Sequence, residues 1–453
     1  MKKTFINRIE RRQFIKTSLS GLALATLPGI SFAQSNPDVV VIGAGAAGLS
    51  ATAELMRRGI SVSCIEGMNR IGGRCYTDMS TFGVPADHGA HWLHGHKQNE
   101  IAIFGKKHKD KFKIYKEPDR SVVYNEGKKV DESKLWHIYK KINKIKSATS
   151  SDEPFMDLLP EKIKKNAWFD TAHAAIMARD FGEFSAYDDN NNWYDPGWDS
   201  GNALCREGYG TLLAYYRKDI PVKLNTIVSE IKWGGKGVQV VTNKGTINAK
   251  ACIVTVSAGV LKAEKIKFTP DLPLRNREAL ESVSMTVSNR VLMQLNKKFV
   301  NRFKNDTNFY IKCNSNGAKS PETISYGLLR MSGTNVCLFG ISGQFSRDLE
   351  NEGSEAMIDF VLNKLKSTFG SKFYGKYFIK AIATGWANNP FTLGAYSGGV
   401  PGKSKKRSDI KFPIGDRIFF AGEATAGAFS TVHGANRSGV RAATDVFISS
   451  ALD

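Results

Sequence analysis

The sequence predicts an α/β fold in which a buried parallel sheet is interleaved with a second, α+β region, and three observations carry that prediction. Asp38-Val39-Val40-Val41-Ile42 is a short, β-branched apolar run of the kind a parallel sheet buries on both faces. It stops at Gly43-Ala44-Gly45-Ala46-Ala47-Gly48, after which Leu49 to Arg58 places small and apolar residues at helical spacing and Gly59 ends the run. Far along the chain, Asp416-Arg417-Ile418-Phe419-Phe420-Ala421-Gly422-Glu423 reads as another buried strand leading to a glycine and a carboxylate, with a helix over 434–446 behind it. At 453 residues the chain is too long for one ordinary core, which predicts two intimately linked domains.

Taken from the start, Met1 to Glu10 is basic and polar, Arg11-Arg12-Gln13-Phe14-Ile15-Lys16 follows, and Thr17 to Ile30 is mostly apolar. The apolar run is shorter than the roughly 20 residues a membrane span needs, and Ser31-Phe32-Ala33 ends in a small residue suited to cleavage. Residues 1–33 therefore read as a twin-arginine export signal, with the twin-arginine export machinery as a partner and a periplasmic or secreted destination. A disordered basic tail is the alternative. No other long apolar run occurs, so no membrane span is expected in the mature chain.

The glycines after the first strand have separate tasks. Gly43 permits a tight turn, Gly45 lets the backbone approach a pyrophosphate, and Gly48 lets the helix pack on the sheet. Phosphate charge then meets a helix N-terminus carrying about half a positive charge. A second strand, Ser61 to Ile65, ends at Glu66, where a carboxylate can accept hydrogen bonds from ribose hydroxyls. This unit is Rossmann-like and does not by itself separate FAD from NAD. The continuation does, because Arg70-Ile71-Gly72-Gly73-Arg74 can bring backbone N–H groups and a guanidinium to a phosphate directly after Glu66.

The formal charge of +21 falls to about +16 once the five net positive charges of residues 1–33 are set aside. The excess lies in runs such as Lys106-Lys107-His108-Lys109, Lys140 to Lys146 and Lys403 to Arg407, which read as solvated faces. Attraction to nucleic acid or anionic lipid is the alternative, but no base-stacking or zinc motif accompanies them, so no nucleic-acid partner is expected. Cys64, Cys75, Cys205, Cys252, Cys313 and Cys337 show no metal-like spacing, so no metal site is expected. Cys64 and Cys252 sit in strand-like stretches as buried thiols, and disulfides stay unassigned.

With these residues in view, the chain resembles the flavin-dependent amine oxidase family of monoamine oxidases, polyamine oxidases and histone lysine demethylases. The resemblance runs from about Asp38 to Phe447. It is carried by the block through Arg74, by Asp87-His88-Gly89-Ala90-His91-Trp92-Leu93-His94-Gly95, and by Phe420-Ala421-Gly422-Glu423-Ala424-Thr425 with Thr431-Val432-His433-Gly434-Ala435. Arg206-Glu207-Gly208-Tyr209-Gly210 and Ile227-Val228-Ser229-Glu230-Ile231 resemble the family's return into its cofactor domain, and Ser257 stands where the family usually has proline. The resemblance implies an FAD-binding Rossmann-like domain of the glutathione-reductase type, assembled from 34–100, 202–284 and 406–453. An α+β substrate domain over 101–201 and 285–405 is interleaved with it. There the helix-like periodicity of Ser133 to Ala186 is broken by Pro154 and Pro160, whereas Val291 to Leu295 and Val336 to Ile341 read as strands.

Carried over by residue, the resemblance puts Gly43, Gly45, Ala46, Ala47, Gly48 and Gly73 around the pyrophosphate and Glu66 with Gly67 at the adenosine ribose. It puts Val228 at the adenine and Arg74 near pyrophosphate and flavin. Glu423 falls on the ribityl or phosphate side and Thr431 and Val432 at the isoalloxazine, with Gly89, Ala90, His91, Trp92, Trp386 and Gly422 as further cofactor-binding candidates. Ala395 replaces the cysteine that bonds covalently to flavin in monoamine oxidases, which implies noncovalent FAD. Tyr396 matches one wall of the aromatic sandwich for the amine, Thr431 replaces its second tyrosine, and His94 matches a histidine near the substrate in many polyamine oxidases. His91, His94 and Trp386 each have an ordinary packing alternative.

The chemistry so implied is hydride loss from the carbon beside an amine nitrogen, imine hydrolysis and reduction of oxygen to hydrogen peroxide. The alternatives are a dehydrogenase or desaturase passing electrons to a carrier, an amino-acid oxidase, or a noncatalytic flavoprotein. An alkyl ammonium with a pKa of about 10.4 is neutral in only about one part in 10³ near pH 7, and an apolar aromatic pocket lowers that pKa by desolvation. Acids therefore belong at the entrance, and Asp180, Glu183, Asp188, Asp189, Asp195 and Asp199 form a candidate acidic stretch, with a solvated loop as the alternative. One position departs from the family: in Ser288-Asn289-Arg290-Val291-Leu292, Arg290 stands where a lysine is usual. A guanidinium stays protonated and planar, so it is not an equivalent replacement. Arg290 is the candidate residue facing the flavin; an exposed strand position is the alternative.

Overall fold

The computed structural model describes residues 36–176, 184–187, 200–314 and 322–452. The export signal expected over 1–33 and all six acids of the candidate acidic stretch lie outside the described residues.

A five-stranded parallel sheet runs in the order Ile418–Phe420, Ala251–Val254, Val39–Ile42, Val62–Ile65 and Val222–Lys223. Its strands come from three widely separated stretches of chain. The β-branched run is central because both of its faces are covered. Val39 and Val41 join a core with Leu49, Leu55 and Val446, while Val40 and Ile42 join a second core with Ile231, Val240 and Phe268. The two-residue period of a strand sends neighbours to opposite faces, so a continuous apolar run suits a doubly covered sheet. One cover is a pair of helices, Ala46–Arg57 and Val432–Ile448, in close contact: a Cβ on Gly439 would lie 2.0 Å from the Ala47 carbonyl oxygen. The other is a four-stranded sheet ordered Gly245–Ala249, Val238–Thr242, Val228–Lys232 and Lys267–Thr269.

The second region is built on a seven-stranded sheet ordered Phe378–Ala383, Ser288–Leu295, Val336–Ser342, Tyr326–Leu329, Thr307–Ile311, Ser121–Asn125 and Lys128–Val130. All its pairings are antiparallel except that of Thr307–Ile311 with Ser121–Asn125. Both expected strands lie within it. Helix Ser133–Ala148 is followed by a 3-10 turn, Phe155–Leu158, and helix Glu161–Lys164, each starting directly after one of the two prolines that interrupt the periodicity. Two boundaries differ from expectation. The first helix starts at Ala46, inside the glycine turn, because Gly45 has the extended backbone of an N-cap. The last starts at Val432, because the Thr431 hydroxyl caps it by accepting the Gly434 N–H at 3.0 Å.

All six cysteines are free thiols and five are buried. Among the described residues, no helix is long and apolar enough to cross a membrane and no cluster of His, Cys, Asp and Glu could hold a metal ion.

Candidate active site

The glycine turn is shaped by what surrounds it. Gly43 has a φ of 103° and donates its N–H to the Ile65 carbonyl at 2.8 Å, tying the turn to the end of the second strand. A Cβ on Gly48 would lie 1.8 Å from the Gly43 carbonyl oxygen, so the helix can meet the turn only through a glycine. Gly45 is different: a Cβ there would meet nothing within 4 Å. Beyond Gly45, Ala46 and Ala47 open the helix with no side-chain cap on its N-terminal N–H groups. The turn formed by Gly72 and Gly73 closes over this cleft, with the Gly72 N–H donating to the Ala44 carbonyl at 2.8 Å and a Cβ on Gly73 reaching within 3.5 Å of the Gly45 Cα.

Glu66 ends the second strand, buried, and accepts N–H bonds from Ala44 at 2.6 Å and Met68 at 2.8 Å. Burial pushes its pKa up, opposed by those N–H groups and by Arg70. The Glu66 carbonyl takes the Thr226 N–H at 2.7 Å, which brings the start of the Val228 strand beside it. Gly67 packs on the Phe391 ring, 2.6 Å from where its Cβ would be.

At the other end of the site, Arg74 donates from Nη1 to Glu423 Oε1 at 3.1 Å and to the Ala395 carbonyl at 3.0 Å. Glu423 Oε2 accepts from Ser397 Oγ at 2.7 Å and from the Ser430 N–H at 3.1 Å, with the Arg407 guanidinium 4.0 Å away. Burial alone would raise the Glu423 pKa, but Arg74, Arg407 and Ser397 outweigh it and hold it below the usual carboxylate range. Gly422, at φ 138°, turns the chain from strand to carboxylate. The Thr431 hydroxyl is already engaged, donating to the Ala428 carbonyl at 2.7 Å while capping the last helix, whose first residue is Val432.

The Asp87 to His94 segment runs between these groups and the seven-stranded sheet. The Ala90 N–H donates to the Arg74 carbonyl at 3.0 Å, and a Cβ on Gly89 would sit 1.8 Å from that same oxygen and 3.2 Å from the Trp386 ring. Arg290 is buried, which removes the exposed-strand alternative. It donates from Nη1 to the carbonyls of Gly89 and Asp87, from Nε to the Tyr326 hydroxyl at 3.3 Å, and lies over the Trp92 ring. Its neighbour Asn289 accepts the Trp386 backbone N–H at 3.1 Å, which ties that residue's main chain to the strand bearing Arg290. Ala395 and Tyr396 are held by a two-way exchange with Thr286, whose N–H donates to the Tyr396 carbonyl at 2.7 Å.

His94 meets Asn202 through Nδ1 at 2.8 Å, and Asn202 Nδ2 donates to Glu117 Oε2 at 2.7 Å. The other Glu117 oxygen takes the Trp92 indole N–H at 2.8 Å. Sequence reasoning did not find Glu117 or Asn202. They meet because strand Ile114–Lys116 pairs antiparallel with Ala203–Cys205, which sets Lys116 opposite Ala203. Neither residue belongs to a motif, so only the pairing reveals them. Burial drives the His94 pKa down to about 4, against the Asn202 bond. The predicted residues thus fall into a nucleotide group around Gly45, Glu66 and Val228 and a reaction group around Arg74, His91, Arg290, Trp386 and Tyr396. A surface cleft of about 620 Å³ lined by Tyr124, Lys129, Arg302 and Phe369 shares no residue with either.

FAD can be tested against these residues. Gly45 leaves open space at an uncapped helix N-terminus, and Glu66 stands at the end of the adjacent strand. In the reaction group, His91 Nε2 and Thr286 Oγ1 are buried without a hydrogen-bond partner, as polar atoms facing an absent group would be. The residues fit.

Comparison with known proteins agrees. An NAD(P)-binding Rossmann-like domain matches residues 41–104, and flavin containing amine oxidoreductase matches residues 156–447. Polyamine oxidase 4 of Oryza sativa subsp. japonica is 28% identical, covering 91% of this chain and 88% of that protein. Polyamine oxidase 2 of Arabidopsis thaliana is also 28% identical, covering 90% and 88%. The structure of wild-type putrescine oxidase bound to putrescine superposes with a TM-score of 0.72 over 91% of this chain and 99% of that one, at 17% identity, a likeness of fold. Because the amine oxidoreductase match spans more than half of the chain, the protein belongs to the flavin containing amine oxidoreductase family, with FAD as its cofactor.

Proposed function

We propose that this enzyme oxidises a linear di- or polyamine, using noncovalently bound FAD and dioxygen, after export by the twin-arginine route. The observation that carries the substrate class is the Glu117 carboxylate, fixed by Trp92 and Asn202 and linked through Asn202 to His94. A carboxylate with both oxygens oriented, one by the Trp92 indole N–H and one by Asn202, suits an ammonium group by charge. A second amine on the same substrate then lies towards Trp386 and Tyr396. The polyamine oxidases among its relatives support the same class.

When bound, FAD supplies the hydride acceptor for the carbon beside the reacting nitrogen. The chain's own residues bind and orient. The glycine turn and Arg74 would hold the phosphates, Glu66 the ribose, and Glu423, locked between Arg74 and Arg407, the position of Arg74. Trp386 and Tyr396 make the reacting end apolar, which favours the neutral amine that can release hydride. Ala395, buried where covalent relatives carry cysteine, supports a noncovalent cofactor. The twin-arginine motif supports export, because that route carries folded, cofactor-loaded proteins.

The test is Glu117→Gln, compared on a diamine and on a monoamine of equal chain length. Loss of one charge-assisted contact, about 1.5–3 kcal/mol, lowers kcat/KM for the diamine by about 10- to 150-fold and leaves the monoamine within about threefold. Equal losses on both would remove Glu117 from recognition. Arg290 favours one second reading, electron transfer to a carrier in place of oxygen, and the peroxide yield per amine oxidised decides between them.

A further inference from the structure

His91 is held in a way that packing does not require. Its Nδ1 lies 2.7 Å from Asp87 Oδ2, and both residues are only 2% exposed. Asp87 is fixed in turn, accepting the Thr77 hydroxyl at 2.5 Å and the Tyr209 N–H at 3.1 Å. A carboxylate can only accept, so the imidazole carries its proton on Nδ1 and presents a bare lone pair at Nε2. That Nε2 is buried and has no hydrogen-bond partner. The segment bearing it touches Arg74 through Ala90 and Trp386 through Gly89, which sets His91 beside the reaction group.

Resting on the amine-oxidation reading, we infer that the Asp87–His91 pair is the site's proton store, with His91 Nε2 taking the substrate's ammonium proton and returning it when dioxygen is reduced. The balance closes on one proton. R-CH2-NH3⁺ gives its proton to His91, and the neutral amine then loses hydride to become R-CH=NH2⁺. Dioxygen later takes the two electrons, the hydride's proton and the proton held on His91, and leaves as hydrogen peroxide. The sum is R-CH2-NH3⁺ plus O2 giving R-CH=NH2⁺ plus H2O2, with no proton exchanged with solvent.

Arg290, whose guanidinium binds the carbonyls of Asp87 and Gly89, is a donor only and offers no lone pair to a proton. Burial drives His94 down to about 4, which keeps it neutral, and pushes the Cys75 and Cys205 thiols up, which keeps them protonated. Asp87, 2.7 Å from Nδ1, holds the ring in place while Nε2 takes and returns the proton.

The test is anaerobic reduction of the holoenzyme by one equivalent of a bleaching amine in weakly buffered solution with a pH-indicator dye. Bleaching of the flavin band reports the amine-oxidation reading, and the dye reports the proton separately. The wild type is expected to release about zero protons per flavin reduced, and His91→Asn about one, with FAD content and melting temperature showing that the variant is loaded and folded. His91→Gln repeats the test if the asparagine variant does not fold. One proton released by the wild type overturns the inference without any variant, and retention by both proteins overturns it by placing the proton elsewhere.

Discussion

Replacing Gly45 by alanine separates what the fold needs from what the cofactor needs. Gly45 has φ −76° and ψ −175°, an extended conformation open to any L residue, and its added Cβ meets nothing within 4 Å. The substitution therefore costs the apoprotein nothing, and the lost freedom of the unfolded chain stabilises it by about 0.4–1 kcal/mol. The same methyl occupies the space through which a pyrophosphate reaches the helix N-terminus. Loss of one charge-assisted N–H bond, about 1.5–3 kcal/mol, weakens FAD binding by about 10- to 150-fold. Gly48→Ala is the contrast, since its Cβ would sit 1.8 Å from the backbone oxygen of Gly43 and overpacking of that kind costs about 1–3 kcal/mol or more. The assay is thermal melting of both apoproteins, followed by titration with FAD. An unchanged FAD affinity in Gly45→Ala, or a destabilised apoprotein, would show that the open space is not the phosphate cleft.

Other perturbations probe the reaction group. Arg290→Lys gives up the planar fork that reaches Asp87, Gly89 and Tyr326 and supplies the more usual ammonium, so flavin reoxidation by oxygen is expected to change in rate; unchanged reduction and reoxidation in stopped flow would count against a catalytic Arg290. Glu423→Gln leaves Arg74 and Arg407 in a buried site without their carboxylate, which is expected to lower stability by about 3–5 kcal/mol in denaturant melts. His94 gives a pH dependence. Its folded pKa of about 4 lies below the ordinary 6.5, so the unfolded chain takes the proton first as pH falls. The associated stability, about 3 kcal/mol, is complete above pH 6.5 and drains away towards pH 4, and melts of His94→Asn across that window should lose this slope.

The nucleotide half of the site was legible because its constraints are local. A doubly buried strand must be apolar throughout, a turn at φ 103° wants glycine, and the helix meets that turn only without a Cβ at Gly48. These requirements leave marks within thirty residues. The distant Ile418–Phe420 strand was readable for the same reason, since burial on both faces again allows only apolar residues. The Glu117 and Asn202 pair was not. Glu117 and Asn202 are 85 positions apart, and the short ladder that joins them has no compositional signature. His91 was singled out through the block it sits in, whereas its tie to Asp87 and its unpaired nitrogen are facts of geometry. Arg290 was visible as a departure, but its bonds to two backbone carbonyls show why a planar, multiply donating cation suits that place.

The proposed function has this FAD enzyme draw electrons from a linear amine carrying a second ammonium group. Anaerobic titration of the holoenzyme with monoamines, linear diamines and polyamines, cyclic amines and amino acids, followed by admission of oxygen and a peroxide assay, tests it most directly. A linear di- or polyamine is expected to bleach the flavin at about one equivalent, and oxygen to restore the colour with one hydrogen peroxide formed per flavin. A flavin that stays oxidised with every amine and amino acid, while FAD remains fully bound, would contradict it.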